Sequence, residues 1–227
     1  MKLYDRVGNE ITVSVGSNQF ANNNFVFIGD SFSSPGQWQS EMQNTLGGIN
    51  LYNAAVDGCR WSNTHSEETS AYYRAERIID NITVTPDIIM CLLGVNDGAN
   101  GVELGTVTYS NDYTEFNRAT FAGGVQATIA RLQNAYPDAV IYVGWTPAGG
   151  NCNWATSAAK VDEYVEMMKE VCLMYGVEYI ETRTCGISKY SDIYADCWEA
   201  ETGGGHPTEK GHIAIGKYMA RIVSSTV

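Results

Sequence analysis

Positive charge is scarce in this chain: Lys and Arg number 14 against 26 Asp and Glu, for a net charge of −12. A surface of that sign repels phosphate backbones, which argues against a nucleic-acid partner, and it opposes docking on anionic membranes. Acidity of this kind mainly helps solubility and indicates no particular partner. Long apolar runs are missing too, so no segment can span a bilayer as a helix. The first residues, Met1 to Arg6, lack the apolar h-region of a secretory signal. They leave the compartment open, with a secreted, cell-surface or virion-surface location compatible.

Cys-x-x-Cys pairs are absent among the six cysteines at 59, 91, 152, 172, 185 and 197. That argues against a zinc ribbon or a thioredoxin-type site. Cys91 and Cys172 lie in apolar periodic segments and read as core. Cys152, Cys185 and Cys197 lie in loop-like sequence, where a disulfide is open but unsupported. No internal repeat and no low-complexity segment occurs.

What is present suits a folded, loop-rich enzyme. Hydrophobic residues make up 44% of 227, charged residues 18%, and there are 23 glycines. That supports one α/β domain with a substantial core. Residues 1–24 stand apart: Lys2-Leu3-Tyr4 and Ile11-Thr12-Val13 flank Asp5 to Glu10, which contains a Gly8-Asn9 turn signal, and this predicts a short hairpin or arm leading into a domain at 25–227.

From residue 25 on, apolar runs rich in Val, Ile, Tyr and Phe alternate with helical periodicity. Strands are predicted at 25–28, 49–56, 87–93, 140–145 and 177–181, and helices at 37–46, 67–80, 115–135, 158–175 and 209–223. In the fourth helix Val161, Tyr164, Val165, Met168 and Val171 fall on one stripe. Such alternation predicts a three-layer α/β/α sandwich around a parallel five-stranded sheet of flavodoxin-like type. Ligands bind such sheets outside the C-terminal strand ends, so the residues just after each strand are the candidates.

After the first strand come Gly29-Asp30-Ser31, where a serine near a helix start can use its own backbone N–H to bind an oxyanion. After the second comes Asp57-Gly58, with an unobstructed backbone N–H. After the third come Gly94-Val95-Asn96-Asp97, where the Asn96 amide can donate to developing negative charge. Near the end, Gly203-Gly204-Gly205-His206-Pro207 can carry an imidazole over the strand ends, and Thr208-Glu209 suits the start of the last helix. Each feature alone is equally an ordinary turn or cap.

Together and in this order they resemble the SGNH hydrolase superfamily, the GDSL-type esterases and lipases, over roughly residues 25–223. The resemblance implies that Ser31 is the nucleophile and His206 its general base. It implies that Gly58 N–H, Asn96 and Ser31 N–H form the oxyanion hole. No metal or cofactor is called for. One position departs from the pattern. The family usually has Asp three residues before the catalytic His, and here that residue is Gly203. The orienting group would then be Glu201, Asp196 or a backbone carbonyl. Otherwise turnover is weak, since loss of the acid in such a triad can cost about 10⁴ in kcat. His212 is read as a helix-surface or core histidine, and His65 as a solvated loop residue that could line the pocket.

The expected reaction is hydrolysis of a carboxylic ester, with a short acyl group, acetyl first, on a carbohydrate. No lid segment suggests an interfacial lipase. Trp38, Trp61, Trp145, Trp154 and Trp198, with Tyr109 and Tyr113, lie near the expected loops. Aromatic faces suit sugar rings, although they suit a core equally. The alternatives are a lipid or thioester hydrolase or acyltransferase of the same fold, or a non-catalytic carbohydrate-binding module. The N-terminal arm suits one module of a larger bacterial or phage surface protein.

Overall fold

Phe25 and Phe27 belong to one apolar cluster and Val26 and Ile28 to another, and all four are fully buried or nearly so. Successive side chains of a strand point to opposite faces. This strand is therefore covered on both sides, as a central parallel strand must be. The computed structural model describes residues 3–4, 10–11, 19–110, 112–147, 158–183, 185, 187, 192–199 and 205–226.

In chain order the elements are β1 (Leu3–Tyr4), β2 (Glu10–Ile11), β3 (Asn24–Gly29), α1 (Gln37–Leu46) and β4 (Asn50–Asn53). A 3₁₀ turn at Glu67–Thr69 precedes α2 (Ala71–Asn81), β5 (Ile88–Leu92), α3 (Val95–Ala99), α4 (Phe121–Ala135) and β6 (Val140–Gly144). Then follow α5 (Ala158–Tyr175), β7 (Glu178–Ile180), α6 (Tyr194–Cys197) and α7 (Glu209–Thr226). β1 and β2 pair antiparallel as a separate two-stranded sheet, Leu3 opposite Ile11.

The five remaining strands form one parallel sheet in the order β4-β3-β5-β6-β7. α1 and α7 contribute Trp38, Met42, Ile215 and Met219 to the cluster on one face. α2, α4 and α5 contribute Ala75, Ile129 and Val165 to the cluster on the other. The architecture is the three-layer α/β/α sandwich expected from the alternation. Chain order reverses between β3 and β5, which opens a crevice at their C-terminal ends.

Several predicted boundaries move, each for a local reason. Helix 67–80 starts later because Ser70 caps it, its Oγ accepting from Tyr73 N at 3.2 Å. Helix 115–135 starts at Phe121 because Thr120 Oγ1 accepts from Gly123 N at 3.2 Å. Strand 49–56 ends at Asn53, whose side-chain oxygen takes Ala55 N at 3.1 Å and turns the chain. The short helices α3 and α6 were not foreseen, since pieces of this length carry no readable periodicity.

Four of the tryptophans proposed as sugar platforms are core residues instead. Trp38, Trp61, Trp145 and Trp198 are all buried. Trp154 lies outside the described residues. Tyr109 is exposed, and Tyr113 packs beside Tyr72 with the Arg131 guanidinium over its ring. Cys91 and Cys172 are buried as expected; Cys185 and Cys197, expected in loops, are buried too, while Cys152 lies outside the described residues. No helix among the described residues is long and apolar enough to cross a membrane.

Candidate active site

The loop after β3 is wound around one residue. Asp30 is wholly buried, and its backbone carbonyl accepts from Ser33 N and Ser34 N, each at 2.9 Å. Its Oδ1 accepts from Phe32 N at 3.1 Å. This tight turn presents Ser31 half-buried at the C-terminal edge of the sheet. The Ser31 Oγ lies 2.9 Å from His206 Nε2, across 175 residues of sequence. A hydroxyl bonded to an imidazole at that distance can pass its proton to the ring.

His206 is carried by a backbone clamp. Trp198 and Pro207 form an antiparallel bridge, Glu199 N donates to His206 O at 2.9 Å, and Thr208 N donates to Cys197 O at 2.9 Å. The His206 ring stacks on Phe32, centroids 4.8 Å apart. Of the acids suggested for orienting the imidazole, Asp196 is elsewhere: its carboxylate accepts from Lys210 Nζ at 2.7 Å. Lys210 is the second residue of α7, so the pair ties α6 to α7 instead. Glu201 and Gly203 lie outside the described residues.

Gly58 and Asn96 are brought to the same edge. Val56 N donates to Gly29 O at 3.1 Å, which hangs the Gly58 loop on the end of β3. Ser34 and Asp57 hydrogen-bond through their side chains. Asn96, at the start of α3, donates from Nδ2 to Cys59 O at 3.1 Å, the carbonyl next to Gly58. Its second amide proton remains for another acceptor. The backbone N–H groups of Ser31 and Gly58 have no partner among the described residues.

Two acids hold this edge together, and neither was recognised as functional from the sequence. Asp97 is wholly buried and accepts from Trp61 N at 2.9 Å and Ser62 N at 3.0 Å, which pins the loop following Gly58 to α3. Burial pushes its carboxyl up to about 6, against the pull of those two donors. Asp30 Oδ2 accepts from Thr146 Oγ1 at 2.6 Å, and burial pushes that carboxyl up to about 7. Thr146 in turn accepts from Val95 N at 3.1 Å. Thr146 lies two residues past the C-terminal end of β6, where ligands of such sheets bind. Asp30 and Asp97 adjoin Ser31 and Asn96, and in sequence a buried acid there looks the same as an acid of an ordinary turn.

His212 sits in the first turn of α7 and is 6% exposed, which makes it the core histidine of the two readings the sequence left open. Its Nδ1 has no hydrogen-bond partner among the described residues. Burial, then the nearby His206, pushes it down to about 4, so it is neutral at ordinary pH. His65 is exposed, as expected of a solvated loop residue. Ser31, His206 and His212, with Pro35, Gln37 and Glu199 among others, line a cleft of about 310 Å³. No His, Cys, Asp and Glu cluster able to hold a metal occurs among the described residues.

Solved structures of the same fold include a protein of Lactobacillus plantarum with 17% identity and a TM-score of 0.72, matching over 91% of this chain and 99% of that one. A Bacteroides ovatus protein named as a GDSL-like lipase has 20% identity and a TM-score of 0.65, over 91% and 100%. An acetyl xylan esterase has 16% identity and a TM-score of 0.58, over 90% and 100%. No curated protein matches the chain in sequence. The profile of the GDSL-like Lipase/Acylhydrolase family matches residues 7–214. With that match spanning nearly all of the α/β domain that carries Ser31 and His206, the chain belongs to the GDSL-like lipase/acylhydrolase family.

Proposed function

We propose that the protein is a serine esterase that removes short acyl groups, acetyl above all, from a carbohydrate. The observation that carries the reading is the 2.9 Å contact between Ser31 Oγ and His206 Nε2 at the edge of the sheet. In this reading His206 takes the Ser31 proton as Oγ attacks the ester carbonyl. Ser31 N–H, Gly58 N–H and the Asn96 amide stabilise the resulting oxyanion. His206 then protonates the departing alcohol, and water releases the acyl group by the same route.

Two points support a short acyl group. The cleft of about 310 Å³ is at the small end of ligand pockets. One protein of the same fold is an acetyl xylan esterase. The backbone clamp on residues 206–208 places the His206 main chain, and the Phe32 stack contributes to orienting its ring, where Gly stands at position 203.

Hydrolysis of p-nitrophenyl acetate by wild type beside Ser31→Ala tests the reaction. The wild type is expected to be faster by at least about 10³-fold. Equal rates across a panel of acyl lengths would leave a binding module instead. A preference for butyrate or octanoate over acetate would overturn the short-acyl assignment. Release of acetate from an acetylated xylan, compared with a triglyceride emulsion, tests the alcohol side.

A further inference from the structure

The oxyanion donors and the serine come from separate strand ends, and something must hold them in register. One buried chain of hydrogen bonds does so. Phe32 N, in the serine loop, donates to Asp30 Oδ1 at 3.1 Å. Thr146 Oγ1, just past β6, donates to Asp30 Oδ2 at 2.6 Å. Val95 N, at the head of α3, donates to Thr146 Oγ1 at 3.1 Å. Asp30 and Thr146 are both wholly buried, so no water competes for these bonds. The Thr146 hydroxyl touches both sides. It donates to the acid of the serine loop and accepts from the helix that carries Asn96.

We propose that Thr146 is a positioning residue for the oxyanion hole: its hydroxyl sets the placement of Asn96 relative to Ser31. This rests on the esterase reading above. The Thr146 side chain is wholly buried, with its hydroxyl engaged by Asp30 and Val95; it acts through Val95 and Asn96. A donor displaced by a fraction of an ångström binds the transition state less well while leaving ground-state binding alone. Removal of the hydroxyl therefore lowers kcat and spares KM.

The experiment is a double-mutant cycle between Thr146→Val and Asn96→Ala, with Thr146→Ser as the conservative control. Thr146→Val is expected to lower kcat by about 10–100-fold with KM within about twofold, and Thr146→Ser to restore most of the rate. In the Asn96→Ala background the valine should cost less than about threefold more, because the donor it places is already gone. If Thr146→Val does not fold, Thr146→Ala takes its place, since it removes the hydroxyl without putting a methyl where the hydroxyl stood. Wild-type kcat in the folded Val or Ala variant overturns the proposal. So does a full additional loss in the Asn96→Ala background, or a serine variant as slow as the valine. Ser31→Ala is run alongside: if it keeps wild-type activity, the esterase reading itself has failed, whereas an inactive Ser31→Ala beside an unaffected Thr146→Val defeats the positioning role alone.

Discussion

The Phe32 ring lies against the His206 imidazole, centroids 4.8 Å apart and planes at 28°. Phe32 is fully buried and its backbone N–H is held by Asp30. The ring is therefore a fixed wall against which the imidazole rests. A stacked pair of this kind is worth about 0.5–1.5 kcal/mol beyond its buried area. Phe32→Leu should lower kcat by up to about tenfold, since about 1.4 kcal/mol corresponds to a factor of ten. The drop should fall on kcat rather than KM in steady-state kinetics on p-nitrophenyl acetate.

Two glycines of the site should respond to alanine in different ways. At Gly94, with φ +140°, an added Cβ would stand 2.6 Å from the Trp145 ring. Gly94→Ala should cost at least about 2 kcal/mol of stability from backbone strain and overpacking together. At Gly58, φ is +72° but nothing lies within 4 Å of an added Cβ. Gly58→Ala should cost only about 1 kcal/mol, the left-handed penalty alone. Urea unfolding of the two variants checks the order.

Removal of a single oxyanion donor typically costs on the order of 10²–10³ in kcat. Asn96→Ala should show a loss of that size, and residual hydrolysis above the Ser31→Ala level. A loss below about threefold would mean that Asn96 serves only its bond to Cys59 O.

Asp97→Ala should be among the more damaging changes outside the serine–histidine pair. It leaves the Trp61 and Ser62 N–H groups buried without acceptors. Each such orphan costs about 1–3 kcal/mol. Thermal unfolding should show a clear fall in Tm, and Asp97→Asn, which keeps one acceptor oxygen, should fall between.

Stability should depend on pH through opposed buried groups. Asp30 is raised from 3.8 to about 7, so the folded state binds a proton that the unfolded chain has released. Its contribution is fully present below about pH 4 and is lost as pH rises toward 7. Asp97 acts in the same direction up to about pH 6. His212 is lowered from 6.5 to about 4, so its contribution is present above pH 6.5 and is lost as pH falls toward 4. Roughly 1.4 kcal/mol accompanies each tenfold change in proton affinity. Relative to wild type, Asp30→Asn should therefore gain stability between pH 4 and 7, and His212→Gln should gain it as pH falls through the same window. Urea unfolding at pH 4.5, 5.5 and 7.5 reads both slopes.

The sequence by itself determined the layers and the address of the site. Runs such as Phe25–Ile28 and Ile88–Leu92 are apolar on both faces, which only a covered parallel strand accommodates. The alternation with amphipathic helices then leaves one edge for Ser31, Gly58, Asn96 and His206. Four residues scattered over the chain could be named because each follows a strand or opens a helix. Tertiary structure decided what holds them. The Asp30–Thr146–Val95 and Asp97–Trp61 bonds join segments far apart in sequence. No local pattern records which buried acid meets which distant donor. It also decided the fate of the tryptophans, because an aromatic near a loop looks the same in sequence whether its ring turns to solvent or, as in Trp38 and Trp61, to the core. Asp196 shows the same limit: its nearness to His206 in sequence suggested a partner, but the turn into α7 set Lys210 before it first.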